Sequence, residues 1–479
     1  MPGEHGFSIR GQRARNANAA RVSRLVAAGL VLSLPGRASA GPDSSSVAGP
    51  DRFDLFVRGE THAELFRRAL RPGPDGTLVV TRTLLPIQEY VFLGAKNLDA
   101  PWRKDSIDVE LSAWGATTLG DPSPERALDG DVQTANVGYR QGPLWVRLGR
   151  QHVAGGAARY ARFDGADAGV ALGAGLDVET YGGFVVLPRW DRTPGYYLLG
   201  AAAETALKDP NAVAAPPRSS TWLAGGRVGY KNDWARAGLS FHEEHTGGSL
   251  ARRNLGADAE ADLLDAMTVT GSALLDLDER RFADAHLSAD VSPMGALDVT
   301  AEYLHAAPAL LLSRQSVLSV FSTDSYDEVG GYATFRAARA LRVESSGFVD
   351  VYDGGRPGGR GQIAARVLPD PSGRTVTRIE YTRLLAPGNG YHAIRVSLSR
   401  RFDPALSGTL EAYGYFYDSA IRNVSTSSVY AGTLTWQPER SLSFLIGGSL
   451  ARSPYARLDA EAQLRVAYAF DLSRDGITR

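Results

Sequence analysis

Between positions 147 and 164 the chain gathers Arg147, Arg150, Gln151, Arg159, Arg162 and Asp164. A guanidinium group is always charged, and its planar fork of donors matches carboxylate and phosphate oxygens. Arginines on one wall of a water-filled passage, facing carboxylates on another, set a transverse field and an ion preference. The same residues on an exposed loop would be solvated charges, with Arg162 and Asp164 paired locally and contributing little. Which reading applies depends on the elements that hold them.

The flanking pattern is that of a strand. Leu144, Val146 and Leu148 alternate with Trp145, Arg147 and Gly149, because successive side chains of a strand point to opposite sides. Arg147 therefore shares the inward face with Trp145 and Gly149. A small-residue turn, Gly155-Gly156-Ala157-Ala158, follows, so Arg150, Gln151, Arg159, Arg162 and Asp164 fall in or beside a loop. That loop is expected to fold into the opening and narrow it.

Other candidates for chemistry are weaker. His242-Glu243-Glu244-His245 lacks the helical zinc spacing. As a strand it sends Leu239 and Phe241 to one face, His242 and Glu244 to the other, and His245 away from them, which suits a polar lumen patch. No nucleophile elbow, phosphate-binding glycine loop or dinucleotide fingerprint occurs, and neither catalytic residues, metal ligands nor a cofactor are assigned. Carboxylates are plentiful enough that two meeting in space for glycoside hydrolysis stay an open alternative. The basic Gly354–Gly361 segment reads as a mobile loop that would meet lipopolysaccharide at most at its surface.

Composition and address narrow the class. Arg10, Arg13, Arg15, Arg21 and Arg24 precede an apolar run, Leu25 to Leu34, and a small-residue site, Ala38-Ser39-Ala40. This order of parts is that of a secretory signal peptide over residues 1–40. The run falls short of the ~20 apolar residues that a spanning helix needs. Without residues 1–40 the chain keeps 46 basic and 52 acidic residues, a net charge of −6, which argues against nucleic acid as a partner. With no cysteine there is neither a disulfide nor a thiolate metal site.

A Gly/Pro/Ser linker, residues 41–52, leads into residues 53–479, where period-two alternation recurs. Ile107, Val109, Leu111 and Ala113 form one apolar face, Ile394, Val396 and Leu398 another. Tight turns such as Gln141-Gly142-Pro143 and Gly173-Ala174-Gly175 alternate with longer segments at Gly120–Asp131, Ala154–Asp164, Pro188–Ser220, Thr246–Asp262, Ala307–Ser325, Asp353–Arg360 and Asp418–Ser428. Short turns at one end and long loops at the other are the rhythm of an all-β, antiparallel, up-and-down transmembrane barrel. Counting gives about eighteen strands, with sixteen to twenty as the range. Aromatics near strand ends, among them Trp102, Trp114, Trp145, Tyr413, Tyr415, Tyr417 and Trp436, are candidates for interfacial girdles. Leu464, Val466, Tyr468 and Phe470 make an apolar face in a final strand that closes the barrel.

The pieces Leu148-Gly149-Arg150-Gln151, Gly155-Gly156, Arg159 and Arg162-Phe163-Asp164-Gly165-Ala166 resemble the alginate-export and related substrate-specific porins of Gram-negative outer membranes. The resemblance covers about twenty residues and the strand rhythm. It implies an eighteen-stranded barrel with a lumen of arginines and carboxylates that passes an anionic polymer or small anions. The expected function is passive diffusion of small polar or anionic solutes through an Arg-narrowed lumen in the bacterial outer membrane. The expected partners are outer-membrane lipid, lipopolysaccharide and the barrel assembly machinery. The rivals are a membrane-embedded or secreted β hydrolase and a non-conducting surface or adhesin barrel.

Overall fold

The computed structural model describes residues 54–70, 81–98, 106–120, 128–186, 221–264, 266–311, 325–370 and 372–473. The signal-peptide and linker expectations, residues 1–52, and the whole Pro188–Ser220 segment lie outside the described residues. No helix among the described residues is long and apolar enough to cross a membrane.

Strands make up almost all of the rest. They begin with β1 (Asp54–Leu70), β2 (Thr81–Lys96), β3 (Ser106–Gly120), β4 (Leu128–Gln141), β5 (Leu144–Gly155), β6 (Arg159–Gly173) and β7 (Leu176–Val185). Next come β8 (Trp222–Lys231), β9 (Ala235–Thr246), β10 (Ser249–Leu264), β11 (Met267–Asp276), β12 (Arg281–Met294), β13 (Leu297–Ala306) and β14 (Tyr326–Ala338). The series ends with β15 (Leu341–Tyr352), β16 (Arg356–Val367), β17 (Thr375–Leu385), β18 (Tyr391–Arg401), β19 (Leu406–Ile421), β20 (Val424–Glu439), β21 (Leu442–Arg452) and β22 (Ala456–Ser473). A one-turn helix, α1 (Pro308–Leu311), and a 3-10 turn, Gly156–Ala158, interrupt the series.

Each strand pairs antiparallel with its neighbours in sequence, and β1 also pairs with β22 from Asp54↔Ser473 to Leu70↔Ala456. That last pairing closes the sheet into a barrel of 22 strands. Closure satisfies every backbone edge, which is the condition for strands to cross hydrocarbon. One side of the wall carries large apolar side chains in the open: Leu148, Leu239, Val349, Leu410 and Ile446 are each 56–64% exposed. The opposite face carries the charged and hydroxyl side chains. Apolar outside and polar inside is the transmembrane-barrel pattern.

The strand count corrects the expectation of about eighteen, and exceeds its upper bound of twenty. β1 and β2, which precede the Ile107–Ala113 alternation, are part of the closed wall. Thr246–Asp262, expected as a loop, is nearly all β10. Within it Leu255, Ala257 and Ala259 face outward in register with Phe241, Leu239 and Ala237, while Asn254, Asp258 and Glu260 face inward. A membrane strand needs only about ten residues to cross. β10 has 16, so its ends lie beyond the apolar band, where polar residues on both faces hide the alternation. The same extension shortens the expected loops at Ala154–Asp164, Asp353–Arg360 and Asp418–Ser428 to two or three residues between strands.

Candidate functional site: a hairpin folded onto the inner wall

The β5–β6 hairpin does not continue the wall to its tip. Gly149 pairs with Gly165, and Gly165 with Gly183, so three glycines lie abreast across β5, β6 and β7. Gly149 takes φ +120°, open to glycine and strained for other residues. A Cβ on it would come 2.3 Å from the Ala135 carbonyl oxygen, and a Cβ on Gly165 would come 2.1 Å from that of Gly182. The row lets the sheet crease, and beyond it the hairpin bends away from its neighbours.

The tip lands on β9 and β10, three and four strands along the wall from β6. The Ala157 N–H donates to Ser240 Oγ at 2.7 Å, and Asn254 Nδ2 donates to the Ala157 carbonyl at 3.3 Å. Leu239, Phe241 and Leu255 on the same strands are exposed outward, so Ser240 and Asn254 are on the inner face. The seat is tight, since a Cβ on Gly256 would stand 2.5 Å from Ala157 N. Ala157 also packs with Leu274 and Ala283, and Leu310 and Leu311 of α1 cover that cluster. Arg159, at φ +53°, reaches Asp284 of β12 at 3.6 Å.

Under the hairpin a second cluster forms from Ala158, Ala161, Phe163, Tyr181 and Leu223, with Val153 and Val185 beside it. Phe163 is fully buried and stands 5.9 Å from the Tyr181 ring, whose hydroxyl shares a hydrogen bond of 3.1 Å with His242 Nδ1. His242 and Glu244 lie together on the inner face, and Arg252 binds Glu244, while His245 stacks on Trp222 outside at 4.3 Å. Among the described residues no group of three or more His, Cys, Asp or Glu is arranged to hold a metal.

Each residue singled out in the sequence has a definite place. Arg147 lies on the inner face, 3.8 Å from buried Asp167, with its guanidinium 5.7 Å from the Trp145 ring. Arg150 binds Asp164 through two donors, at 2.7 and 3.0 Å, and stands 3.6 Å from Asp131. Arg162 reaches Asp131 at 2.7 Å, and both are over 90% buried. Gln151 is 1% exposed beneath the hairpin, its Nε2 donating to the Arg147 carbonyl at 3.5 Å. Thus Arg150, Arg162 and Asp164 come together around Asp131, whereas Arg147 and Arg159 act in separate pairs. Arg162 is thus paired with Asp131 and Arg150 with Asp164.

Asp131, Asp167, Asp284, Ser240, Asn254 and Gly256 were not found by sequence reasoning. Asp167 carries a signal in hindsight, because its pairing with Arg147 follows from one hairpin register. The contacts of the tip to β9, β10 and β12 carry none, since they join segments around 80 to 130 residues apart in a barrel whose register the chain does not spell out.

No known protein family matches the chain, and no curated protein matches it either. Solved structures do. The P pilus usher PapC translocation pore shares 8% identity over 86% of this chain and 99% of its own, with a TM-score of 0.46. Acinetobacter baumannii OccAB4 shares 9% over 88% of this chain and 100% of its own, with a TM-score of 0.41. The outer membrane protein OpdK of Pseudomonas aeruginosa shares 11% over 87% and 99%, with a TM-score of 0.36. At such identity these are likenesses of chain path.

Proposed function

We propose that the chain is an outer-membrane channel for passive diffusion of small polar or anionic solutes, narrowed by the β5–β6 hairpin. The observation that carries this reading is the anchoring of Ala157 to Ser240 and Asn254 on the inner wall. A barrel of 22 strands is wider than the sixteen- to eighteen-stranded barrels whose lumen is an aqueous channel. Selective passage through such a wall calls for a segment that occupies part of the opening. The hairpin supplies one.

In this reading Arg147, Arg150, Gln151, Arg159, Arg162 and Asp164 line or support the narrow region. Arg159 and Arg147 present charge to the passing solute. Arg150, Arg162, Asp131 and Asp164 form a fixed two-plus, two-minus network that holds the hairpin's shape. The Gly149-Arg150-Gln151 and Arg162-Phe163-Asp164 pieces favour small anions as the charged solutes that pass the hairpin. Planar-bilayer recording on purified protein tests the channel. Discrete steps, enlarged when residues 155–158 are replaced by a two-residue turn, are expected; silence at every voltage and salt concentration would sink the proposal.

A further inference from the structure

Tyr413, Tyr415 and Tyr417, which as strand-end aromatics were candidates for a girdle at the membrane surface, are on the other side of the wall. Leu410 and Phe416 of the same strand are 64% and 47% exposed on the outer face. The odd positions Glu411, Tyr413, Tyr415 and Tyr417 therefore line the inner face of β19 in one column. A strand rises about 7 Å per two residues, so the three rings cover roughly 14 Å along the passage. Tyr391 of β18 stands in register with Tyr417, and its ring meets Tyr415 edge-on at 5.6 Å. All four tyrosines are half-buried, with part of each ring open to the interior.

The charged groups beside this column are paired with one another. Arg395 lies 4.8 Å over the Tyr413 ring and binds Glu411 at 2.8 Å, and the Tyr413 hydroxyl donates to Glu411 at 2.6 Å. On β17, one strand beyond β18, Arg378 binds Glu380 at 2.9 Å and also Glu344 of β15. The Tyr417 hydroxyl shares a bond with Ser427 at 2.9 Å. The panel thus offers flat apolar faces in sequence and a rim of donors and acceptors in which Arg378 and Arg395 are met by Glu344, Glu380 and Glu411 and leave no surplus positive charge.

We propose that this wall is a binding track for uncharged oligosaccharides, an assignment that rests on the channel reading above. A pyranose ring has a C–H face and a rim of hydroxyls. The face stacks on an aromatic ring, and the hydroxyls of the rim accept hydrogen bonds from the arginines and donate to the carboxylates. A column of rings lets one sugar unit move to the next platform as its neighbour vacates it. Weak sites repeated along a passage are what conduction requires. A free anion gains little here, because each guanidinium is already matched by a carboxylate.

Isothermal titration on detergent-solubilised protein, with a neutral glucose hexamer and a uronate hexamer of equal length, reads the track; bilayer recording reads the channel separately. Saturable binding of the neutral hexamer is expected, weakened at least about tenfold in Tyr413→Ala/Tyr415→Ala and retained in Tyr413→Phe/Tyr415→Phe. Tyr430→Ala, whose ring is 60% exposed on the outer face, should bind like the parent. Heat-dependent gel mobility confirms that each variant is folded. No heat from the neutral hexamer, binding of the uronate hexamer alone, or equal binding by the double alanine variant would overturn the track. Binding without conductance steps would support the track and remove the channel.

Discussion

The backbone N–H of Ala157 and the hydroxyl of Ser240 meet at 2.7 Å, tying the tip of one hairpin to a strand that lies 83 residues away. Few bonds hold that tip. Ser240→Ala removes one of them, a loss of about 1 kcal/mol. Gly256→Ala acts by pressure instead, since its Cβ would meet backbone at 2.5 Å. Both variants are expected to raise single-channel conductance or open-state noise, Gly256→Ala more strongly. Unaltered traces in both would mean the tip does not limit flow.

Arg159 offers a test of charge. Its partner Asp284 lies on the inner wall, so Arg159→Ala deletes a positive group and also frees a negative one. Arg159→Ala with Arg162→Ala should move the reversal potential under a potassium chloride gradient toward cation preference. No movement would return both residues to a structural role.

Asp131 tests the network that shapes the hairpin. The side chains of Arg162 and Asp131 are 6% and 8% exposed, and removing one partner of a buried pair costs about 3–5 kcal/mol. Asp131→Asn should lower the temperature at which the folded band disappears in heat-modifiability gels. It should also expose the 150–165 segment to protease. Asp131→Ala with Arg162→Met, which removes both charges, should recover much of the loss.

At the turn between β16 and β17, Asp370 accepts from the Ser372 hydroxyl at 2.5 Å and from the backbone N–H groups of Thr375 and Arg374 at 2.6 and 3.0 Å. These bonds hold its carboxyl well below the ordinary carboxylate range, with the Ser372 hydroxyl the largest cause. A depressed value in the folded state means the stabilisation is present above the unfolded value of about 4 and fades as pH falls below it. Amide exchange at Arg374 and Thr375 should therefore be slow at neutral pH and lose protection under acid. Asp370→Asn should flatten that dependence, and an unchanged profile would exclude the carboxylate as its source.

The inner and outer faces of β5 were legible because Leu144, Val146 and Leu148 alternate with Trp145 and Arg147, and lipid on one side enforces that contrast. The barrel class followed from many such segments. The number of strands did not, because β10 leaves the apolar band at both ends and reads there as a charged loop. The tyrosine column was visible as three aromatics at alternate positions, but their face was set by Leu410 and Phe416, equally apolar in the sequence. Of the hairpin site, the arginines were found and most of their partners were not. Asp131 and Asp284 come from strands whose approach depends on a crease of three glycines, and glycines abreast in space are scattered in sequence.

The pairing of Asp54 with Ser473 has a consequence for how the wall comes into being. Until the last strand arrives, the first has a bare edge of N–H and C=O groups, and hydrocarbon penalises each unmatched one by several kcal/mol. A partial sheet therefore has no stable residence in the bilayer core, and a chain cut short before β22 should remain outside it. The first hairpin has to be kept waiting, shielded by water or an escort, while some four hundred residues are delivered. For this molecule, being completed and being inserted are a single event.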